Sequence, residues 1–441
     1  MDNKLVVGLV ITCSVIAGLL IGFNDSIYVE DTYSDNLNIN NSGDVSSDEV
    51  SGDLTNDVSG DIEFISGDDM LSGDVSNYED EQDNPFVPSI SSKKEIPESV
   101  KAVYATGWVM GTPKVRQSMI TLIKENGYNA VVIDIKDEAG QLSYNSTVQT
   151  SIDINASRKM ISNVEAVINE LKENDIYVIG RIVTFKDPLY ASKVSSIAYK
   201  KSDGTVWKDY NGNSWPNPYN KETWKYPLAL AEEAAKLGFQ EIQFDYIRFP
   251  SSEGKVSAIS YGFDYGTVKK ADIITSFLQE AMKTLEPYNV VVSADVFGIT
   301  TKKDGDFENI GQDFSRIASV VDVICPMVYP SHYAFNEYKI SIPDKNPYKI
   351  VYNSLADAFK RYESFTSGDS NVKMAKIRPY LQDFTATWLG NGNYMTYGNE
   401  AVKDQIQASF DLGFEDFTLW DPGNQYCYSA LKNVTKKDNN N

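Results

Sequence analysis

From about residue 100 onward the apolar positions change their period at regular intervals, two in short runs and near four in longer ones. The short runs predict strands at 102–106, 130–136, 176–183, 241–247, 290–297, 321–329, 377–382 and 416–420. The longer ones predict helices near 114–126, 159–174, 225–237, 267–286, 311–319, 351–364 and 399–412. Several helical stretches close on a glycine just before the next strand, as Asn126-Gly127, Leu237-Gly238 and Leu412-Gly413 do. Alternating strands and helices are the grammar of a parallel α/β chain. Eight strands with their helices in about 330 residues predict one closed (β/α)8 TIM barrel. An open doubly wound sheet is the alternative, but it normally carries a glycine-rich phosphate turn after its first strand, and none is present.

The fourth strand is the most informative. Ile242, Phe244 and Tyr246 alternate with Glu241, Gln243, Asp245 and Ile247, and Phe249-Pro250 stops the run. A carboxylate at the carboxyl end of such a strand lies where α/β barrels keep their chemistry, so Asp245 is the first candidate for a working residue.

Composition changes the picture mainly at the N-terminus. The chain of 441 residues carries a net charge of −22, and residues 24–95 hold 19 acidic and 2 basic side chains. The rest is close to balanced, no basic patch is present, and nucleic acid is not an expected partner. Residues 24–95 repeat Ser-Gly-Asp at 42–44, 51–53, 59–61, 66–68 and 72–74 and read as a disordered, self-repelling linker. Calcium binding by these aspartates is the other reading, without the Gly-Gly-x-Gly-x-Asp pattern to support it. Before the linker, residues 5–23 form an uncharged run of 19 after Lys4, enough to cross a bilayer of about 30 Å. That run predicts a signal anchor, or a cleaved signal peptide, placing the C-terminal bulk outside the cytoplasm. The expected organisation is therefore 1–23 anchor or signal, 24–95 linker, 96–430 barrel and 431–441 disordered tail. Oligomeric state is left open.

What the chain lacks narrows the chemistry. Cys13, Cys325 and Cys427 make no disulfide framework, and His332 is the one histidine. Two-histidine zinc sites are excluded, and a Ser-His-Asp triad would have to use His332. Neither a cofactor nor a metal is expected; Asp304-Gly-Asp306 is a fragment of a calcium loop without its closing Glu.

The polar residues at the predicted strand ends are Asp134, Asp137, Glu138, Arg181, Asp245, Arg248, Asp295, Tyr329, Arg378, Asp383 and Asp421. A ring of carboxylates with arginines and aromatics fits glycoside hydrolysis, which asks the protein for two carboxyl groups. Asp245 and Asp295 end neighbouring strands about 4.8 Å apart, so they are the predicted catalytic pair. For Asp245 the alternative use is a salt bridge to Arg181 or Arg248. Asp134, Arg181, Arg248, Tyr329, Arg378, Trp420 and Asp421 are the predicted substrate-binding set. Within it Asp134 either binds sugar hydroxyls or orients an arginine, while Arg181 and Arg378 hold carboxylates ionised. The long loop 187–225 carries Trp207, Tyr210, Trp215, Tyr219 and Trp224, which either stack on sugars or pack the loop onto the barrel.

Ile242-Gln-Phe-Asp-Tyr-Ile-Arg-Phe-Pro250 resembles a bacterial family described as putative glycoside hydrolases, exported (β/α)8 domains known largely as a domain of unknown function. So do Thr106-Gly-Trp108, Val132-Ile-Asp-Ile-Lys136, Ala294-Asp-Val-Phe-Gly298, Cys325-Pro-Met-Val-Tyr-Pro330, Arg378-Pro-Tyr-Leu-Gln382 and Leu419-Trp-Asp421. The resemblance spans roughly residues 100–430 and implies a barrel related to α-amylase-like glycosidases, acting on an extracellular or wall polysaccharide. In that wider group a strand-four aspartate is the nucleophile and a strand-five glutamate the acid. Asp245 stands at the first position and Asp295, one methylene shorter, at the second, and Gln243 replaces an arginine. The leading functional expectation is an extracytoplasmic glycoside hydrolase; a non-catalytic carbohydrate- or wall-binding barrel and an envelope scaffold are the alternatives.

Overall fold

The computed structural model describes Lys94 and residues 96–435, apart from 252, 262–267, 303–308, 368, 370 and 371. The apolar run 5–23, Cys13, almost all of the acidic linker, Asp304-Gly-Asp306 and the last six residues of the chain lie outside the described residues. Among the described residues no helix is long and apolar enough to cross a membrane.

Eight parallel strands close into a barrel. They are β1 (Lys101–Ala105), β2 (Ala130–Lys136), β3 (Tyr177–Val183), β4 (Glu241–Asp245), β5 (Val291–Phe297), β6 (Val323–Met327), β7 and β8 (Phe417–Trp420). β7 comes in two pieces, Lys376–Ile377 and Tyr380–Gln382, because Pro379 has no N–H for the ladder. The first piece pairs with β6, the second with β8, and Tyr380 registers against Met327 to complete the closure. The main helices are α1 (Pro113–Glu125), α2 (Val164–Glu173), α3 (Glu222–Leu237), α4 (Lys270–Leu285), α5 (Phe314–Ala318), α6 (Pro347–Thr366) and α7 (Asn399–Asp411). Each overlaps a predicted helix, with ends shifted by up to five residues; α3 ends on Gly238 at φ +101°, a backbone that only glycine adopts freely. Short helices at Gly107–Gly111, Gln149–Asp153 and Pro188–Lys193 carry too few turns to show a period and were not predicted.

The strands have two differently filled faces. Their outward residues, Ile242 and Phe244 of β4 among them, join one apolar layer with the helices. The inward face is mixed: Ala102, Tyr104, Val132 and Ile179 on one side, Val291, Val323, Cys325 and Tyr380 on the other. Glu241 and Gln243 also point inward. Glu241 accepts from Ser293 and from Arg378 Nη1 (3.1 Å), while Gln243 accepts from Tyr380 (2.7 Å) and donates to Cys325 Sγ (3.3 Å). Glu241, Gln243, Ser293, Arg378 and Tyr380 thus satisfy one another, which is what makes a polar interior tolerable. Lys94 pairs with Asp322 at 2.6 Å just before β6, and Ile96 packs on the inner apolar cluster, so the amino-terminal end of the barrel is stoppered.

Candidate active site

The site is built where β2, β3, β4 and β5 end. Arg181 stands directly across from Asp134 in the β2–β3 register, and Asp245 lies two residues beyond Arg181's partner on β4. One guanidinium therefore reaches both neighbours: Nη1 donates to Asp134 Oδ1 at 2.7 Å, Nε and Nη2 donate to Asp245 Oδ2 at 2.9 and 2.7 Å. Nη2 also meets Glu138, half-exposed just past β2. The Asp134 and Asp245 oxygens held by this one guanidinium lie no more than about 8 Å apart. A register shift follows between Asp134 and Lys136, and Lys136 pairs with Asp187 at 2.6 Å, both fully buried.

The second oxygen of Asp245 accepts its own next amide, Tyr246 N, at 2.6 Å. Tyr246 sits at φ +50°, a left-handed backbone costly for a bulky residue and concentrated at functional sites. That kink ends β4 at Asp245 instead of Ile247 and sends Ile247 into the outer apolar layer. It also swings Arg248 sideways.

Asp295 is one residue past the registered pair Phe244 and Ala294, so Asp245 and Asp295 stand side by side on adjacent strands. It is 1% exposed, and its Oδ1 has no hydrogen-bond partner among the described residues. Burial first, and then the charge of Asp245, push its carboxyl well above the usual range. Asp134 is also raised, by burial first, with Arg181 pulling the other way. Tyr104, which sequence reasoning did not select, donates to Asp134 and stacks on Trp420 at 4.0 Å between centroids. Arg181 lies over the Trp420 ring at 5.1 Å. Tyr329 completes the inner wall, and the charges of Asp295 and Asp245 both raise its already buried hydroxyl.

Three predicted substrate ligands are placed elsewhere. Arg378 is not at the rim: it points down the barrel to Glu241, the first residue of β4, and is 1% exposed. Arg248 pairs with Glu253, donates to Phe249 O at 3.1 Å and is wedged against Phe297, Tyr246 and Trp215. Asp421 turns its oxygens back to its own loop, accepting from Gly423 N (3.1 Å) and Gln425 N (2.7 Å). The long loop after β3 resolves the same way. Trp207, Trp215 and Trp224 are buried and donate to Lys255 O, Asp209 and Pro218 O, so they pack the loop, while Tyr210 stays exposed. His332 lies on the exposed turn after β6, with Nδ1 3.0 Å from Ser331 Oγ. Among the described residues no group of His, Cys, Asp and Glu is arranged to hold a metal ion.

Residues 102–426 match the family model described as a putative glycosyl hydrolase domain. The chain belongs to this family. Among solved structures, a hypothetical protein from Ruminiclostridium thermocellum ATCC 27405 is 40% identical over 44% of this chain and 97% of its own, with a TM-score of 0.41. The PgaB (BpsB) glycoside hydrolase domain of Bordetella bronchiseptica superposes with a TM-score of 0.53 at 12% identity, covering 77% of this chain and 99% of that domain. A β-galactosidase from the psychrophilic Marinomonas ef1 gives 0.51 at 13% identity, covering 75% of this chain and 58% of its own. At such identities the likeness speaks for the barrel alone. No curated protein matches the chain. Family and fold together make this a glycosyl hydrolase-type (β/α)8 domain.

Proposed function

We propose that this domain is a glycoside hydrolase that cleaves a polysaccharide or wall glycan with two carboxylates, Asp245 and Asp295. The observation that carries the reading is their contrast in neighbouring positions. Asp245 is ion-paired with Arg181 and hydrogen-bonded to Tyr246 N, while Asp295 is buried, lacks a partner for Oδ1 and is raised toward its neutral form. Such a division of labour between two acids is what the reaction needs. In the reaction Asp295 donates its proton to the glycosidic oxygen as the bond to the anomeric carbon breaks. Asp245, as nucleophile or as base to a water, meets the developing positive charge at that carbon. Arg181 holds Asp245 and Asp134 in place, and Trp420 with Tyr104 offers a stacked aromatic wall for a sugar ring. The reading includes an extracytoplasmic location through the apolar run 5–23, acting as an anchor or as a cleaved signal.

The test is a screen of polysaccharides for release of reducing ends by the full chain, repeated with Asp245→Asn. The variant is expected to lose release by at least about a thousandfold. Because Asn can still accept from Arg181, its melting temperature should stay within a few degrees. Undiminished release by the variant removes Asp245 from the mechanism.

A further inference from the structure

The catalytic proposal uses rings on one side of the mouth, Tyr104 and Trp420. A second run of rings leaves the acids from β6 and passes the end of β7, next to Trp420. Tyr329, beside Asp295, lies 5.7 Å from Phe384, and Phe384 stacks on Trp388 at 5.7 Å and 28°. Phe384 is half-buried, and Trp388 is 39% exposed at the outer end. What sets this pair apart is its continuity, because the two rings prolong the wall that Tyr329 begins beside the acids.

The loop that carries this pair is fixed. Gln382, the last residue of β7, donates to Phe384 O and to Asp344, each at 3.0 Å. Asp344 in turn accepts from Met395 N at 2.9 Å, and Thr385 accepts from Tyr397 N at 3.0 Å. The rings are thus held before any ligand arrives, which lowers the ordering cost of binding. Carboxylates outnumber cations at the mouth even with Asp295 neutral, since Asp134, Glu138 and Asp245 face Arg181 and Lys186. A polyanionic chain would be repelled there, whereas sugar C–H groups are attracted to the electron-rich faces of the rings.

We infer that Phe384 and Trp388 form an outer subsite for further sugar units of an uncharged glycan whose reacting bond lies at Asp245. The inference rests on the proposed hydrolase reading for its direction, and it makes the substrate a chain longer than a disaccharide. Its occupant follows from continuity: the run begins at the wall of the candidate site and ends in solvent.

Binding is read by titrating the full chain carrying Asp245→Asn, so that turnover does not interfere. The probes are uncharged disaccharides and hexasaccharides of the cellulose, chitin, xylan and starch types, with oligogalacturonate as the polyanion. One uncharged series should bind more tightly as hexasaccharide than as disaccharide, and the polyanion should not bind. Adding Trp388→Ala should weaken the hexasaccharide roughly five- to tenfold, leave the disaccharide unchanged, and be partly reversed by Trp388→Phe. Equal hexasaccharide affinity with and without Trp388, or no uncharged series showing length dependence, overturns the subsite. Failure of the hydrolytic reading is distinguishable: length-dependent binding that needs Trp388, with no release of reducing ends by the wild-type chain, keeps the subsite and removes the catalysis.

Discussion

In the proposed reaction Asp295 is the residue on which the chemistry turns, since its role there depends on staying protonated. Burial and the neighbouring charge of Asp245 both disfavour its ionised form, so the proton is retained above the ordinary carboxylate range and lost only as pH rises further. Activity should accordingly fall on the alkaline side as Asp295 ionises. Asp295→Asn should be about 10²- to 10⁴-fold slower and should lack that alkaline limb. The profile of kcat/KM against pH for both proteins checks this, and an unchanged limb in the variant assigns it to another group. Residue-scale features were legible only where they follow a period. Asp134, Asp245 and Asp295 were found because inward positions recur at every second residue of a strand. The left-handed turn at Tyr246 and the register shift at Asp134 and Lys136 are single-residue backbone events and leave no periodic trace. For that reason Arg248 was expected at the mouth and is found clamped to Glu253.

At the scale of elements, the segment after β4 is tied to the loop after β3 by a short antiparallel pairing, ring contacts and a hydrogen bond, with one buried ion pair beside them. Arg248 packs on Trp215 and pairs with Glu253, which also accepts from Ser251 N, while Tyr210 N bonds Glu253 O. Burial opposes ionisation of Glu253, but the Arg248 charge and these hydrogen bonds prevail and hold its carboxyl down to about 2. A carboxylate lowered on folding stabilises above its unfolded value, near 4.5, and that contribution is lost as pH falls from there toward 2. The loop should loosen in that window, seen as a change in tryptophan fluorescence as Trp207 and Trp215 become wetter. Glu253→Gln should remove the step, and a step of unchanged size would place the titrating group elsewhere. The density of aromatics in this loop announced a folded excursion, but three buried indoles with satisfied N–H groups answer to packing, not to sugar. Ring content alone does not distinguish these uses; the exposed Trp388 and the buried Trp215 look alike in sequence.

For the whole molecule, the two ends of the barrel are treated differently. One is stoppered by Lys94 on Asp322 and Ile96 on the inner cluster, and the other gathers the acids. Lys94→Met would leave the Asp322 carboxylate buried with a hydrogen bond from Val292 N but, among the described residues, no cation, at a cost of about 3–5 kcal/mol. Thermal unfolding should show the loss, with rates at low temperature unaltered because the mouth is remote; a variant as stable as the parent would show that the stopper contributes nothing. The closed barrel was readable from eight alternating strands and helices. Which end of it Arg378 faces was not, because β7 breaks at Pro379 and the side chain reaches down to Glu241 from another strand. The question that remains decisive is whether Asp245 and Asp295 work as one unit on one bond. It is answered by initial rates of reducing-end release from the preferred glycan for wild type, Asp245→Asn, Asp295→Asn and the double variant. Groups acting together give strongly non-additive losses, so the double variant should be no slower than the slower single variant by more than a few-fold. Single variants at wild-type rates, or losses that simply multiply, would mean that the two carboxylates do not share a reaction.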